Sequence, residues 1–188
     1  MSQAYREELV YTTSEDGFLL EGVALHPVEA AIRPVSVVWI HGNASRFYDY
    51  PYIMIGRALA TAGYPCVSAN TRGHDISAFM WRASGGKPTS WTSPEGMPIG
   101  VGSAWECLDE APRDLAPWVE QAARLAPHVV LTGHSSGAQR VVLYQAERQD
   151  ARVVGITLAS PDLRGFMPPG EVEAAQRLVA QGRGLEVL

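Results

Sequence analysis

Hydrophobic and polar positions at the start of the chain follow the two-residue period of β-strands. Segments 5–13 and 17–26 flank an Asp-Gly pair at positions 16 and 17, which predicts a hairpin turn between antiparallel strands. The next segment, 35–40, is the almost continuous apolar run Val-Ser-Val-Val-Trp-Ile. Such a run is typical of a parallel strand that is covered on both faces. The pattern therefore predicts a hairpin followed by a buried sheet.

From residue 51 onward, helical and strand patterns alternate. The predicted elements are helix 51–62, strand 64–69, a helix that buries Leu115, Trp118, Val119, Ala122 and Leu125 with Asp114 as its N-cap, strand 128–132, helix 136–149, strand 153–159 and a helix near 170–181. This alternation is typical of a doubly wound, mostly parallel sheet with helices on both faces. We therefore predict one α/β domain over residues 1–188.

The segment 71–108 interrupts the alternation because it shows no steady period. A segment of that length inside a compact domain is usually functional or mobile, so we interpret it as a long loop or lid-like insertion. It carries three tryptophans, Trp81, Trp91 and Trp105. These rings could line an acyl pocket or could pack the loop onto the body of the domain, and the sequence leaves both interpretations open.

Composition and charge exclude several classes of function. The formal net charge is −5 and no Lys/Arg cluster is present, so we expect neither a nucleic acid nor a membrane surface as partner. The polar amino terminus and the absence of a membrane-length apolar run predict a cytoplasmic protein. Cys66 and Cys107 lack metal-ligand spacing. We expect them to be buried free thiols, and we expect no metal site and no cofactor.

The segment with the clearest chemistry is Gly-His-Ser-Ser-Gly at 133–137, which follows an apolar strand and precedes a helical pattern. This is the context of a nucleophile elbow, in which the central serine sits on a strained strand-to-helix turn. Ser135 is therefore the candidate nucleophile. Gly133 and Gly137 would let helix and strand approach closely.

Two backbone N–H groups are candidates for an oxyanion hole. Ser136 begins the predicted helix, where its N–H lacks an intrahelical acceptor. Asn43 (or Ala44) follows strand 35–40 in the sequence His41-Gly42-Asn43. Because parallel strands deliver their carboxyl ends to one edge of a sheet, we expect these donors to lie close together.

These motifs, together with Asn-Thr-Arg-Gly-His-Asp at 70–75 and the opening hairpin, resemble those of the α/β-hydrolase superfamily. The resemblance implies an acyl hydrolase with a Ser-Asp-His triad in that chain order, and esterase is the preferred subclass. The substrate would be a small ester or acyl compound. The resemblance covers the front two-thirds of the fold, so we expect the sheet to be truncated at its C-terminal strands.

The base of such a triad is missing after Ser135, because all five histidines precede it. Asp162 could be the acid, although capping of the following turn is the simpler interpretation. His41 and His74 could act as substitute bases, but we favour structural roles for both. We therefore expect the histidine to come from outside this segment, either from a continuation or from a companion chain. The alternative is a fragment or a non-catalytic binding protein.

A second expectation concerns the edge of the sheet. If strand 153–159 is the last strand, it presents unpaired backbone groups that could template pairing with another chain. We expect this edge to be covered by a continuation of the chain, by a companion chain or by self-association.

Overall fold

The structure is a computed structural model, and it describes residues 4–80, 99–161 and 170–183. The strands are β1 (Tyr5–Thr13), β2 (Leu19–Pro27), β3 (Val35–Ile40), β4 (Cys66–Ala69), β5 (Ala78–Met80), β6 (Ile99–Val101), β7 (His128–His134) and β8 (Val153–Ala159). The helices are α1 (Tyr50–Thr61), α2 (Ala111–Ala123), α3 (Ser136–Arg148) and α4 (Glu171–Ala180).

Six of these strands form one sheet in the order β1-β2-β4-β3-β7-β8. β4, β3, β7 and β8 run parallel, whereas β1 pairs antiparallel with β2 and β2 antiparallel with β4. This confirms the predicted mostly parallel sheet with an antiparallel hairpin at its start. The carboxyl ends of β3, β4 and β7 therefore lie at one edge of the sheet.

Each face of the sheet has its own apolar core. Val38 and Ile40 of β3 point to a cluster that includes Leu115 and Trp118 of α2 and Val141 of α3. The alternate residues Val37 and Trp39 point to a second cluster, with Tyr52 and Ala60 of α1. Because β3 is buried on both sides, its near-continuous apolar sequence follows from its position in the sheet.

The start of α2 differs from the prediction. Asp114 lies inside the helix and is fully buried, and it is not the N-cap. Pro117 also lies inside the helix, where its lack of an N–H leaves the Arg113 carbonyl without its intrahelical donor. Glu15 N–H of the hairpin connection donates to that carbonyl at 3.1 Å. The proline thus frees an acceptor that ties α2 to the hairpin.

Asp114 instead binds Arg72, which follows β4. The Arg72 backbone N–H donates to Asp114 Oδ2 at 2.8 Å, and its guanidinium contacts both Asp114 and Asp16. The Arg72 guanidinium also stacks on Phe18, with Cζ 4.6 Å from the ring centroid. One buried cation thereby connects the hairpin, the end of β4 and α2.

The described parts of the segment 71–108, residues 71–80 and 99–108, contain regular structure that the sequence pattern did not indicate. They include an antiparallel ribbon in which β5 pairs with β6, and a 3-10 turn at Leu108–Glu110 precedes α2. Cys66 is buried as expected, and burial raises the pKa of its thiol to about 12. Cys107 is exposed, so the expectation of a buried thiol was wrong there. None of the described helices is both long and apolar enough to cross a bilayer.

Asp16 makes stability depend on pH. Burial alone would raise the pKa of Asp16, but hydrogen bonds from Arg72 and Ser14 hold it at about 2, below the ordinary 3.8. A depressed carboxyl pKa stabilises the fold above the ordinary value, and that contribution is lost as the pH falls toward 2. Between pH 5 and 2, we expect this group to cost the parent chain about 2 kcal/mol of its free energy of unfolding. Asp16→Asn should lack that decrease, and urea unfolding across this pH range measures the difference.

The matched control is Asp109→Asn, at an exposed carboxylate in the 3-10 turn. It should keep the pH dependence of the parent chain. An Asp16→Asn curve parallel to that of the parent would contradict the assignment.

Candidate active site

Ser135 occupies the turn between β7 and α3 in an unusual backbone conformation. Its φ is 52° and its ψ is −121°, a region that residues with a side chain rarely adopt. Its N–H donates to Ala159 O of β8 at 3.0 Å, and the residue is partly exposed. The turn therefore has the strained geometry that the sequence predicted, at the carboxyl end of a parallel strand.

Two glycines allow this turn to form. A Cβ placed on Gly133 would overlap the backbone of Gly137 and lie 2.5 Å from Ala138 N. A Cβ placed on Gly137 would overlap His41 O and lie 2.6 Å from Ile40 O. The first turn of α3 thus packs directly against the end of β3, which only glycine permits.

The loop after β3 lies against the same turn. A Cβ placed on Gly42 would be 3.0 Å from His134 Nδ1 and 3.2 Å from Ser135 Cβ. Asn43 is exposed, and within the described residues no acceptor is paired with its N–H or with that of Ala44. Gly42, which immediately precedes Asn43, therefore lies against the Ser135 turn, and Ser136 follows Ser135 in the chain. The role of the Ser136 and Asn43 N–H groups as oxyanion donors stays a prediction.

His41 holds this loop in place. The ring is fully buried, its Nδ1–H donates to Gly42 O at 2.7 Å, and its Nε2 accepts the Thr71 N–H at 3.2 Å. Burial and then the charge of Arg140 lower the pKa of His41 to about 3, so the ring is neutral. Both nitrogens are occupied, which leaves neither available as a base.

His74 is also held by neighbours. Its Nδ1 lies 2.7 Å from Asp75 Oδ2, and Arg46 pairs with the same carboxylate. All five histidines lie in the described part of the chain, and none of their hydrogen bonds involves Ser135. None of these contacts therefore provides a general base for Ser135.

Sequence reasoning missed Arg140 and Glu106. Arg140 is buried on α3, where its Nη1 donates to His41 O at 2.9 Å and its Nε to Glu106 Oε1 at 2.6 Å. The ion pair anchors the end of the 71–108 segment beside Gly73. A buried arginine in a surface-like helical pattern gives no local signal, because both of its partners are distant in sequence.

Three predicted residues lie outside the described chain, namely Asp162, Trp81 and Trp91. Trp105 is 54% exposed and lines a cavity of about 140 Å³ together with Phe18, Arg72 and Glu106. Ser135 is not among the described residues that line that cavity. The acyl-pocket role of the tryptophans stays a prediction.

The mostly parallel sheet with its antiparallel hairpin, and the glycine-flanked turn between β7 and α3, are features of the α/β-hydrolase class of fold. Residues 37–187 match the alpha/beta hydrolase family, and the chain belongs to that family. A comparison with curated proteins found no match.

Solved structures share the fold at low sequence identity. The esterase Pf2001 of Pyrococcus furiosus is 16% identical with a TM-score of 0.58, over 98% of this chain and 61% of that one. A cold-adapted esterase from an Arctic intertidal metagenomic library is 16% identical with a TM-score of 0.58, over 96% and 70%. The peroxisomal alpha-beta-hydrolase Lpx1 of Saccharomyces cerevisiae is 13% identical with a TM-score of 0.58, over 94% and 52%. This chain therefore spans roughly half to two-thirds of the length of these proteins.

The contact at Gly137 yields a stability prediction. Gly137→Ala places a methyl group against two carbonyl oxygens of the β3 end, so we expect a loss of about 3 kcal/mol or more in the free energy of unfolding. Gly155→Ala is the matched control, because the nearest atom to its Cβ is Val130 Cγ2 at an ordinary 3.7 Å. Urea unfolding of both variants measures the difference. Equal stabilities would show that the α3 turn can move away from β3.

Proposed function

We propose that this chain carries the nucleophile and oxyanion hole of a serine hydrolase that cleaves carboxylic esters. The observation that carries the proposal is the strained turn at Ser135, with Gly42 packed against it and the first N–H groups of α3 beside it. Names of structural neighbours agree, because two of those described above are called esterases. At 16% identity these neighbours support only the fold. The proposed chemistry is therefore argued from the Ser135 turn.

The proposed reaction has two halves. Ser135 Oγ attacks the ester carbonyl while a base takes its proton, and the oxyanion binds the N–H groups of Ser136 and of Asn43 or Ala44. The intermediate collapses to an acyl-serine as the base returns that proton to the leaving alcohol. Water then attacks the acyl-serine with help from the same base, and the acid leaves as Ser135 regains its proton.

The base enters, in this proposal, with polypeptide that extends the sheet beyond β8. β8 pairs with β7 alone in the described sheet, and its apolar residues Val154, Ile156 and Leu158 are 54%, 38% and 43% exposed. A groove of about 280 Å³ runs between β8 and α3 and is lined by Leu158, Pro161, Ala138, Val142, Leu143 and Ala146. A strand added parallel to β8 would bring its carboxyl end, and a histidine there, to the edge where Ser135 lies.

The rival proposal is a binding protein that keeps the fold without the reaction. It is favoured by one observation, that among the described residues no histidine side chain is hydrogen-bonded to Ser135. A binding protein and a hydrolase lacking its base both turn over esters poorly. They differ in whether Ser135 becomes reactive when a base is supplied.

A fluorophosphonate probe with added imidazole tests the proposal. We expect the chain alone to react about a thousandfold or more slowly than a complete triad enzyme, because the oxyanion hole alone remains. Millimolar imidazole should accelerate labelling by supplying a general base, and peptide mapping by mass spectrometry should place the label on Ser135. Ser135→Ala should abolish labelling.

Ser77→Ala is the matched control. Ser77 is an exposed serine just before β5 and lies outside the candidate site. The variant should be labelled at the parental rate. A parent chain that imidazole does not activate would favour the binding protein. Strong turnover without imidazole that His74→Ala abolishes would reveal a base within the chain.

The open edge gives a separate prediction. The 188-residue chain should self-associate with concentration in light scattering coupled to size-exclusion chromatography. The reason is that the side of β8 away from β7 has no strand partner among the described residues and that β8 carries exposed apolar side chains. The double variant Val154→Lys with Ile156→Lys should shift the protein toward monomer. Leu9→Lys, at an exposed position on the opposite edge strand β1, should not. A parent chain that is monomeric at high concentration, with β8 amides protected from exchange, would contradict the proposal.

A further inference from the structure

Tyr52 places a buried hydroxyl between the two halves of the candidate site. The residue lies in the first turn of α1 and is 5% exposed, with its ring packed on Trp39 and on His134 at centroid distances of 5.9 and 5.6 Å. Its hydroxyl lies 3.3 Å from Gly42 N, 3.0 Å from His134 Nδ1 and 3.3 Å from Ser45 Oγ. Gly42 and His134 immediately precede Asn43 and Ser135 in the chain.

The donors and acceptors around this hydroxyl form one consistent chain. A phenol has one proton and two lone pairs, and an amide N–H can only donate. Gly42 N–H and His134 Nδ1–H can therefore donate to Tyr52 Oη, whose proton goes to Ser45 Oγ. Ser45 Oγ in turn donates to Asn43 O at 3.5 Å. The proton and both lone pairs of the phenol are used. Each contact is to a residue of one of the two segments beside Ser135.

We infer that Tyr52 is a positioning residue that fixes the distance between the oxyanion-donor loop and the Ser135 turn. This inference rests on the proposed function of those two segments. Gly42 has no side chain with which to pack, so its own position depends on backbone contacts and hydrogen bonds. His41 holds the loop from the side of Thr71, and Tyr52 holds it from the side of His134.

A purely structural role for Tyr52 would predict a different outcome. Its ring would matter for the core around Trp39, and removal of the hydroxyl alone would change stability and leave the geometry near Ser135 intact. A positioning role predicts that the hydroxyl changes reactivity at Ser135 without changing how the probe binds.

Tyr52→Phe separates these roles. In the imidazole-assisted labelling of Ser135, we expect the maximal rate to fall about tenfold and the half-saturating probe concentration to stay within about twofold. Hydrogen exchange measured by NMR should show faster exchange at the Gly42 amide, by about tenfold. The matched control is Tyr144→Phe, which loses a buried hydroxyl bonded to Asp150 at 2.7 Å near the far end of α3 and should match the parent in both measurements.

Ser45→Ala is a second variant for the case in which Tyr52→Phe does not fold. Ser45 is half-buried and its loss leaves the apolar core untouched. Because Tyr52 Oη then loses its own acceptor, we expect a decrease of about threefold in the maximal rate and faster exchange at the Gly42 amide. Parental labelling in both Tyr52→Phe and Ser45→Ala would overturn the positioning role and leave the hydrolase proposal intact. If the parent chain is not labelled, the hydrolase proposal fails, and Gly42 exchange still decides whether Tyr52 holds the loop.

Discussion

The backbone contact between the first turn of α3 and the end of β3 is the constraint on which the candidate site depends. Gly137 lies so close to Ile40 O and His41 O that no side chain fits between them. This approach sets the position of the Ser136 N–H relative to the loop that begins at Gly42. The nucleophile candidate and both oxyanion-donor candidates therefore lie next to this one contact between a helix and a strand.

Buried charges hold the surrounding loops to that contact. Arg140 joins His41 O to Glu106, and Arg72 joins Asp16 to Asp114. A buried ion pair adds little net stability compared with apolar packing, but removal of one partner leaves a costly unpaired charge. Each arginine thus restricts where two distant segments can lie. The loops at this edge of the sheet are therefore held in one position relative to each other.

Elements that depend on neighbouring residues alone could be predicted from the sequence. The bounds of β3 and β8 match their predicted ranges, because each is a short segment rich in β-branched residues. Asp114 was misassigned as a cap because its partner Arg72 lies 42 residues away. The β5–β6 ribbon was missed because three-residue strands are too short to show a period. The role inferred for Tyr52 depends on His134, which is 82 residues distant.

The conformation of Ser135 also distinguishes folding requirements from functional ones. A residue with a Cβ at φ 52° and ψ −121° carries a conformational penalty on the order of 1 kcal/mol or more that glycine would avoid. For folding alone, glycine would be the more stable choice at this turn. The serine lowers stability at a position where its side chain is partly exposed at the carboxyl edge of the sheet. The proposed role as nucleophile would account for a serine at a position where glycine would be more stable.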